Sequence, residues 1–433
     1  MKNIFITIIV TATIFTFWAT FRYPQAFYYI DTAYEYVGGG FAYIGNIFSR
    51  ATDNIAAVLL HDPVTVSDLR TKYTASEANK SEKKVRVLIV PGHEPDYGGT
   101  SFGGLNERDM NVELAKNLVE FLRNNGRYDV MIARDEKQWN PTLLAYFKTQ
   151  WDSIITFAKD NRQATLHSVS TGKTTKVVGS VAHNKARPDV ALRLYGINKW
   201  ENENAVDIAI HVHFNDYPRK NISQPGKHTG FAVYVPEKQY ANSPTTKAVA
   251  ETIFKRLSKY NAVSNLPAED EGIIEEPDLI AIGAFNTTNS ASMLIEYGYI
   301  YELQFTNNDV RSRTLKDLAF QTYLGLQDFF GSGNDVSLAY DTLMLPHVWK
   351  NELSSTKGST DDVLALQSAL LLDGLYPGNG RTKNDCPRSG RIGPCTLGAL
   401  EAFQKKYGIK GENNVVGEKT REMLNSRYSV RTI

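Results

Sequence analysis

Val85-Arg86-Val87-Leu88-Ile89-Val90-Pro91-Gly92-His93 is the stretch on which the reading of this chain turns. Arg86 apart, its first six residues are Val, Leu or Ile, and a Pro-Gly turn ends the run with a histidine directly behind it. A short apolar run closed by turn residues reads as a buried strand of a parallel sheet. Sites in open α/β sheets form at the carboxyl ends of such strands, which puts His93 where chemistry is done rather than where a core is packed. Further on, Gly104-Leu105-Asn106-Glu107-Arg108-Asp109 sets carboxylates at the start of an amphipathic helix.

Outward from that strand the pattern alternates. Val112, Ala115, Leu118, Val119 and Leu122 recur at helical spacing up to Asn125-Gly126, a helix stop. Residues 130–133, 207–214, 230–235 and 292–295 read as strands; 141–159, 189–199, 248–259 and 313–330 read as helices. Strands separated by helices in this order predict an α/β domain, a mostly parallel sheet with helices on both faces, over 85–330. The acidic run 269–276 reads as a solvated loop, 67–84 as a polar linker and 331–358 as a second linker. Residues 359–428 predict a small C-terminal all-α bundle. Ser359-Thr360 caps a helix with Val363, Leu366 and Leu370, a second helix follows Thr396, and a short third covers 420–424.

The chain has 433 residues, enough for two or three domains, and 42% of them are hydrophobic. Its 48 basic and 47 acidic residues leave a net charge of +1, which gives no electrostatic case for nucleic acid. The N-terminus favours export: Lys2 precedes an uncharged run of 18 residues, 4–21, closed by Arg22. Residues 1–22 thus read as a signal peptide or, slightly preferred, an uncleaved membrane anchor. The aromatic and glycine-rich segment 23–62 reads as membrane-proximal.

His93, Glu107, His211 or His213, and Glu296 fall at strand ends or turns of the α/β domain. A hydrolytic zinc site needs nitrogen and carboxylate ligands with one open position, and a base beside it. Two histidines, one glutamate as ligand and one as base meet those needs. His93-Glu94-Pro95-Asp96-Tyr97 breaks the HExxH pattern, so a one-helix zinc site is excluded. His211 and His213 alternate along one strand, share a face, and cannot be separated by pattern.

Pro91-Gly92-His93, Gly104 to Asp109, Arg134-Asp135, the strand from Asp207 through His213 to Asn215, and Met293-Leu294-Ile295-Glu296-Tyr297-Gly298-Tyr299 together resemble the zinc-dependent N-acetylmuramoyl-L-alanine amidases. The resemblance implies a zinc ion held by His93, Glu107 and His213 (His211 in the alternative register), with Glu296 as the catalytic carboxylate. It further implies peptidoglycan as substrate, cut between N-acetylmuramic acid and L-alanine of the stem peptide, in the cell envelope. A non-catalytic wall-binding protein that keeps the fold, or a zinc peptidase acting within the stem peptide, are the alternatives. Two departures stand out. Glu94 follows His93 where the family has Gly, which predicts another carboxylate beside the metal. The stretch between Arg134 and Asp189 is long, and reads either as a surface insertion or as a gating helix.

The C-terminal unit resembles the three-helix peptidoglycan-binding domain, carried by Leu366-Gln367, Gly393-Pro394-Cys395-Thr396 and Ala402 to Gly408. The loop before Gly393 is lengthened and brings in Cys386. In an exported protein a Cys386–Cys395 disulfide would pin it.

Overall fold

The computed structural model describes residues 63–78, 84–181, 183, 185–332 and 340–429. The expected signal or anchor segment, 1–22, and the membrane-proximal segment, 23–62, lie outside the described residues. Among the described residues no helix is long and apolar enough to cross a membrane.

The first strand is where the sequence put it, β1 (Val85–Pro91). Then come a two-stranded ribbon, β2 (Ser101–Phe102) and β3 (Leu105–Asn106), helix α2 (Glu107–Asn125) and β4 (Tyr128–Ile132). Helices α3 (Pro141–Ser170) and α4 (Pro188–Glu203) lead to β5 (Ile208–Asn215) and β6 (Ala232–Pro236). Helix α5 (Ser243–Tyr260), β7 (Ile273–Glu276), β8 (Ala291–Tyr299) and α6 (Asn308–Phe329) complete the domain. The main sheet has six strands in the order β4-β1-β5-β8-β6-β7. Its first four are mutually parallel, while β6 runs antiparallel to β8 and carries β7 parallel to itself.

Helices cover both faces, as the alternation of strand and helix requires. Val85, Val87, Ile89, Ile208, Ile210 and Val212 point to one side, into a core shared with α2, α5 and α6. Leu88, Val90 and Ala209 point to the other, against Leu143, Phe147 and Ile154 of α3 and Ile197 and Trp200 of α4.

Three stretches depart from expectation. Within the stretch read as a linker, Val66–Ala78 is a helix, α1. Leu69 and Tyr73, one turn apart, are buried in the main core, each burial worth about 1.5–3 kcal/mol. Thr65 and Asp68 exchange backbone and side-chain hydrogen bonds in a capping box. The acidic run is no solvated loop: Glu269 and Glu276 are buried, and β7 lies within it. Within the second presumed linker, Leu345, Trp349 and Leu353 join the C-terminal core.

That core belongs to α7 (Thr360–Leu372), α8 (Pro394–Lys406) and α9 (Glu418–Tyr428). Ser359 and Asp362 close a capping box at the start of α7. Cys386 and Cys395 are disulfide-bonded, with Cα atoms 5.9 Å apart. The loop they close faces the α/β domain, where Asn384 donates to the carbonyls of Thr229 and Val263 and Arg388 pairs with Asp317 of α6.

Candidate metal centre and the carboxylate beside it

The carboxyl ends of β1, β5 and β8 and the first residue of α2 meet at one point. His93 leaves β1 through Gly92, whose N–H donates to the Val212 carbonyl at 2.9 Å. His93 has φ +69°, a left-handed conformation costly for a non-glycine residue and found mostly where function over-determines it. Gly92 is a glycine for reasons of space. A Cβ there would lie 2.2 Å from Cε1 and Nε2 of His213. The Pro-Gly-His turn thus does two things: it ends the strand and leaves room for the second imidazole.

Glu107 opens α2, whose N-terminal dipole favours a carboxylate. Its Oε2 accepts the Thr100 N–H at 3.0 Å and its Oε1 the Phe214 N–H at 3.2 Å. Oε1 also lies 3.1 Å from His213 Nδ1 and 2.8 Å from His93 Nε2. One ligand atom from each of His93, Glu107 and His213 lies within 4.8 Å of the others. His93 Nε2 is buried and lacks a hydrogen-bond partner despite its proximity to Glu107, because the geometry is wrong for one. Two imidazole nitrogens and a carboxylate gathered at one point, one of the nitrogens orphaned, suit a divalent cation better than each other. The group can hold a metal ion.

The electrostatics agree. Burial acts to raise the Glu107 carboxyl, but the His93 charge and the hydrogen bond from His213 overcome it and hold the carboxyl well below its ordinary range. Burial lowers His213, keeping its ring nitrogen available as a ligand.

The strand register separates the two histidines of β5. His211 faces the same side as His213 but lies two residues deeper, opposite Val90. It is 1% exposed, its Nε2 has no partner, and burial, then the charge of His213, lowers it to about 3. The structure brings His213, not His211, to His93 and Glu107.

Glu296 is the register partner of His213 on β8. Its Oε2 is buried without a hydrogen-bond partner. Burial first, then the charges of Glu107 and Glu269, push its carboxyl well above the ordinary range. Glu269 is a buried hub accepting from Tyr234 Oη at 2.6 Å, Asn215 Nδ2 at 3.0 Å, Ser264 Oγ at 2.5 Å and Tyr299 Oη at 3.2 Å. Nothing in its charge-rich stretch signalled that role.

Arg134 was visible only as part of a motif. It is 1% exposed, and its guanidinium donates to the carbonyls of Pro91, Gly92, Arg108 and Asp135. It clamps the β1 turn to the start of α2, the two elements that carry His93 and Glu107. Glu94, expected beside the metal, turns away. Trp139 Nε1 donates to its Oε2 at 2.8 Å and Arg193 Nε to its Oε1 at 2.7 Å. Helix α3, the long insertion, lies along α4 and contributes nothing to the donor set, and the His93 side chain keeps 28% of its exposure.

The sequence model of a family described as N-acetylmuramoyl-L-alanine amidase matches residues 87–327, over half of the chain. No curated protein sequence matches. Among solved structures, the CwlD amidase from Clostridioides difficile, in complex with the GerS lipoprotein, is similar at 16% identity and a TM-score of 0.37, over 57% of this chain and 99% of that one. An N-acetylmuramoyl-L-alanine amidase from Clostridium difficile 630 is similar at 16% identity and 0.34, over 59% and 100%. Ami1 from Mycobacterium smegmatis is similar at 13% identity and 0.36, over 57% and 97%.

Proposed function

The chain belongs to the N-acetylmuramoyl-L-alanine amidase family, peptidoglycan hydrolases, and on that premise we propose that its centre is a zinc site in which Glu296 is the general base. His93, Glu107 and His213 hold the ion. Bound there, zinc supplies a Lewis acid for the amide carbonyl and an acidified water. The chain's own residues do the rest. Glu296, basic because it is buried beside two other carboxylates, takes the water's proton and returns it to the amine of L-alanine as the bond to the lactyl group breaks. Such a proton relay is worth about 10²–10⁴ in rate. The charge of Glu269, held by Tyr234, Asn215, Ser264 and Tyr299, acts on Glu296. Arg134 keeps His93 and Glu107 in place.

The observation that carries this reading is the convergence of His93, Glu107 and His213 with Glu296 in register beside them. Residues 359–428 are the wall-binding unit, and residues 1–22 export the chain and tether it to the membrane, on the cell-wall side.

The protein, incubated with purified peptidoglycan, is expected to release peptides beginning at L-alanine, identified by mass spectrometry, with one zinc per chain by metal analysis. Glu296→Gln should lose that release and keep the zinc. Fragments cut within the stem peptide would point to a peptidase. Zinc-free protein that binds the wall without cutting it would overturn the catalytic reading.

A further inference from the structure

The loop that follows His93, the turn after β4, the first half of α3 and the start of α4 line an open cleft of about 610 Å³. The cleft exists because of the long insertion: Lys137, Lys148 and Trp151 all belong to it.

Its charges divide into two sets. The carboxylates on the floor are consumed internally. Arg193 pairs with Glu94 at 2.7 Å and with Asp189 at 2.6 Å, Tyr97 Oη donates to Asp189, and Trp139 donates to Glu94. This explains the Glu at the position after His93: it locks the floor of the cleft rather than the metal. The cations at the rim are differently placed. Arg187, over the Tyr97 ring at 4.7 Å and 3.3 Å from Asp189, completes the neutralisation of the floor, whereas no salt bridge holds Lys137 or Lys148, both exposed, among the described residues. Against these two lysines stands one exposed acid without an ion pair, Asp96. Trp151, half-buried, adds an apolar surface.

A cationic rim over a neutralised floor selects an anionic, partly apolar ligand. Because Glu94 directly follows His93, that ligand is a neighbouring part of whatever is cut at the metal. On the amidase reading the cut separates a glycan from a peptide, and only the peptide carries free carboxylates beyond the scissile bond. We propose that this cleft is the subsite for the acidic peptide, with Lys137 and Lys148 meeting its carboxylates and Trp151 supporting its aliphatic chain. The inference rests on the amidase reading and adds to it a preference: free-acid stem peptides over amidated ones.

The test uses the full chain and two synthetic muramyl peptides that differ only at the second residue, a D-glutamate with a free α-carboxylate or its amide. Lys137→Glu/Lys148→Glu is expected to lower kcat/KM for the free acid about tenfold and for the amide less than about threefold. Tryptophan fluorescence of chelator-treated protein, titrated with the free peptide, is expected to show the same weakening and to lose its signal change in Trp151→Phe. Equal losses on both substrates, or none on either, overturn the subsite. Wild-type protein that cleaves neither substrate overturns the amidase reading instead. In that event the fluorescence titration still decides the cleft: no lysine-dependent binding of the acidic peptide overturns it.

Discussion

Asp317 of α6 and Arg388 of the disulfide-closed loop form an ion pair at 2.8 Å with their side chains 1% and 7% exposed. Asp317 also accepts from Thr342 Oγ1 and the Leu343 N–H, and Arg388 donates to Ser368 Oγ. The pair therefore joins the α/β domain, the connecting segment and the three-helix unit at one buried point. Breaking one side of a buried pair leaves an unpaired charge and costs about 3–5 kcal/mol, whereas replacing both by apolar groups costs less. Arg388→Met should lower the thermal transition and speed proteolysis between the two units. Asp317→Leu/Arg388→Met should recover part of that loss. A double variant as unstable as the sum of the singles would show that the pair does not couple the units.

Metal binding should discriminate the two histidines of β5. Zinc added to chelator-treated protein is expected to raise the melting temperature, since a ligand at 100-fold its Kd stabilises by about 2.7 kcal/mol. His213→Ala should abolish the shift. His211→Ala should lower the baseline, because it empties a buried position, yet keep the shift. The reverse pattern would reassign the ligand.

Gly92→Ala tests the turn. Its new Cβ would collide with the His213 ring at 2.2 Å, so the ring must move from the position it shares with Glu107. Zinc affinity should fall by on the order of 10–100-fold, as when a group that orients a ligand is lost, measured by competition with a chromogenic chelator. Unchanged affinity would mean that the centre relaxes around the methyl group.

Glu201 of α4 offers a pH-dependence away from the metal. It is fully buried, and burial pushes it up to about 7, against the hydrogen bonds from Ser290 and Thr288 that act to lower it. Unfolded, it titrates near 4.5. Between those values the unfolded chain has given up the proton that the folded chain keeps, so stability falls as pH rises from about 4.5 to about 7. Glu201→Gln removes that fall, on the order of 3 kcal/mol from the size of the shift. The difference in melting temperature between variant and wild type should grow from pH 5 to pH 8. A constant difference would show that Glu201 is ionised in the fold.

Much of this was written in local pattern. The strand 85–91 and its Pro-Gly-His turn, the helix after Glu107, and the capping box at Ser359 are legible because period, turn chemistry and caps act within a few residues. Helix α1 left a fainter trace, the Thr65–Asp68 box and the Leu69/Tyr73 pair, in a segment whose polarity suggested a linker. Residues with chemistry could be nominated the same way, and His93, Glu107, His211 or His213, and Glu296 were.

What only the tertiary structure decided depends on groups distant in sequence. His213 rather than His211 meets Glu107 because β5 lies in one register between β1 and β8, and two residues along a strand is roughly 7 Å, more than a ligand bond spans. Glu94 faces Trp139 and Arg193, not the metal, because α3 and α4 bring those partners from 45 and 99 residues away. Glu269 is a buried hub and not a solvated acid because four donors from separate strands and loops converge on it. A carboxylate reads the same in sequence whether water or protein will satisfy it. The fold decides which, by supplying the partners that make burial affordable.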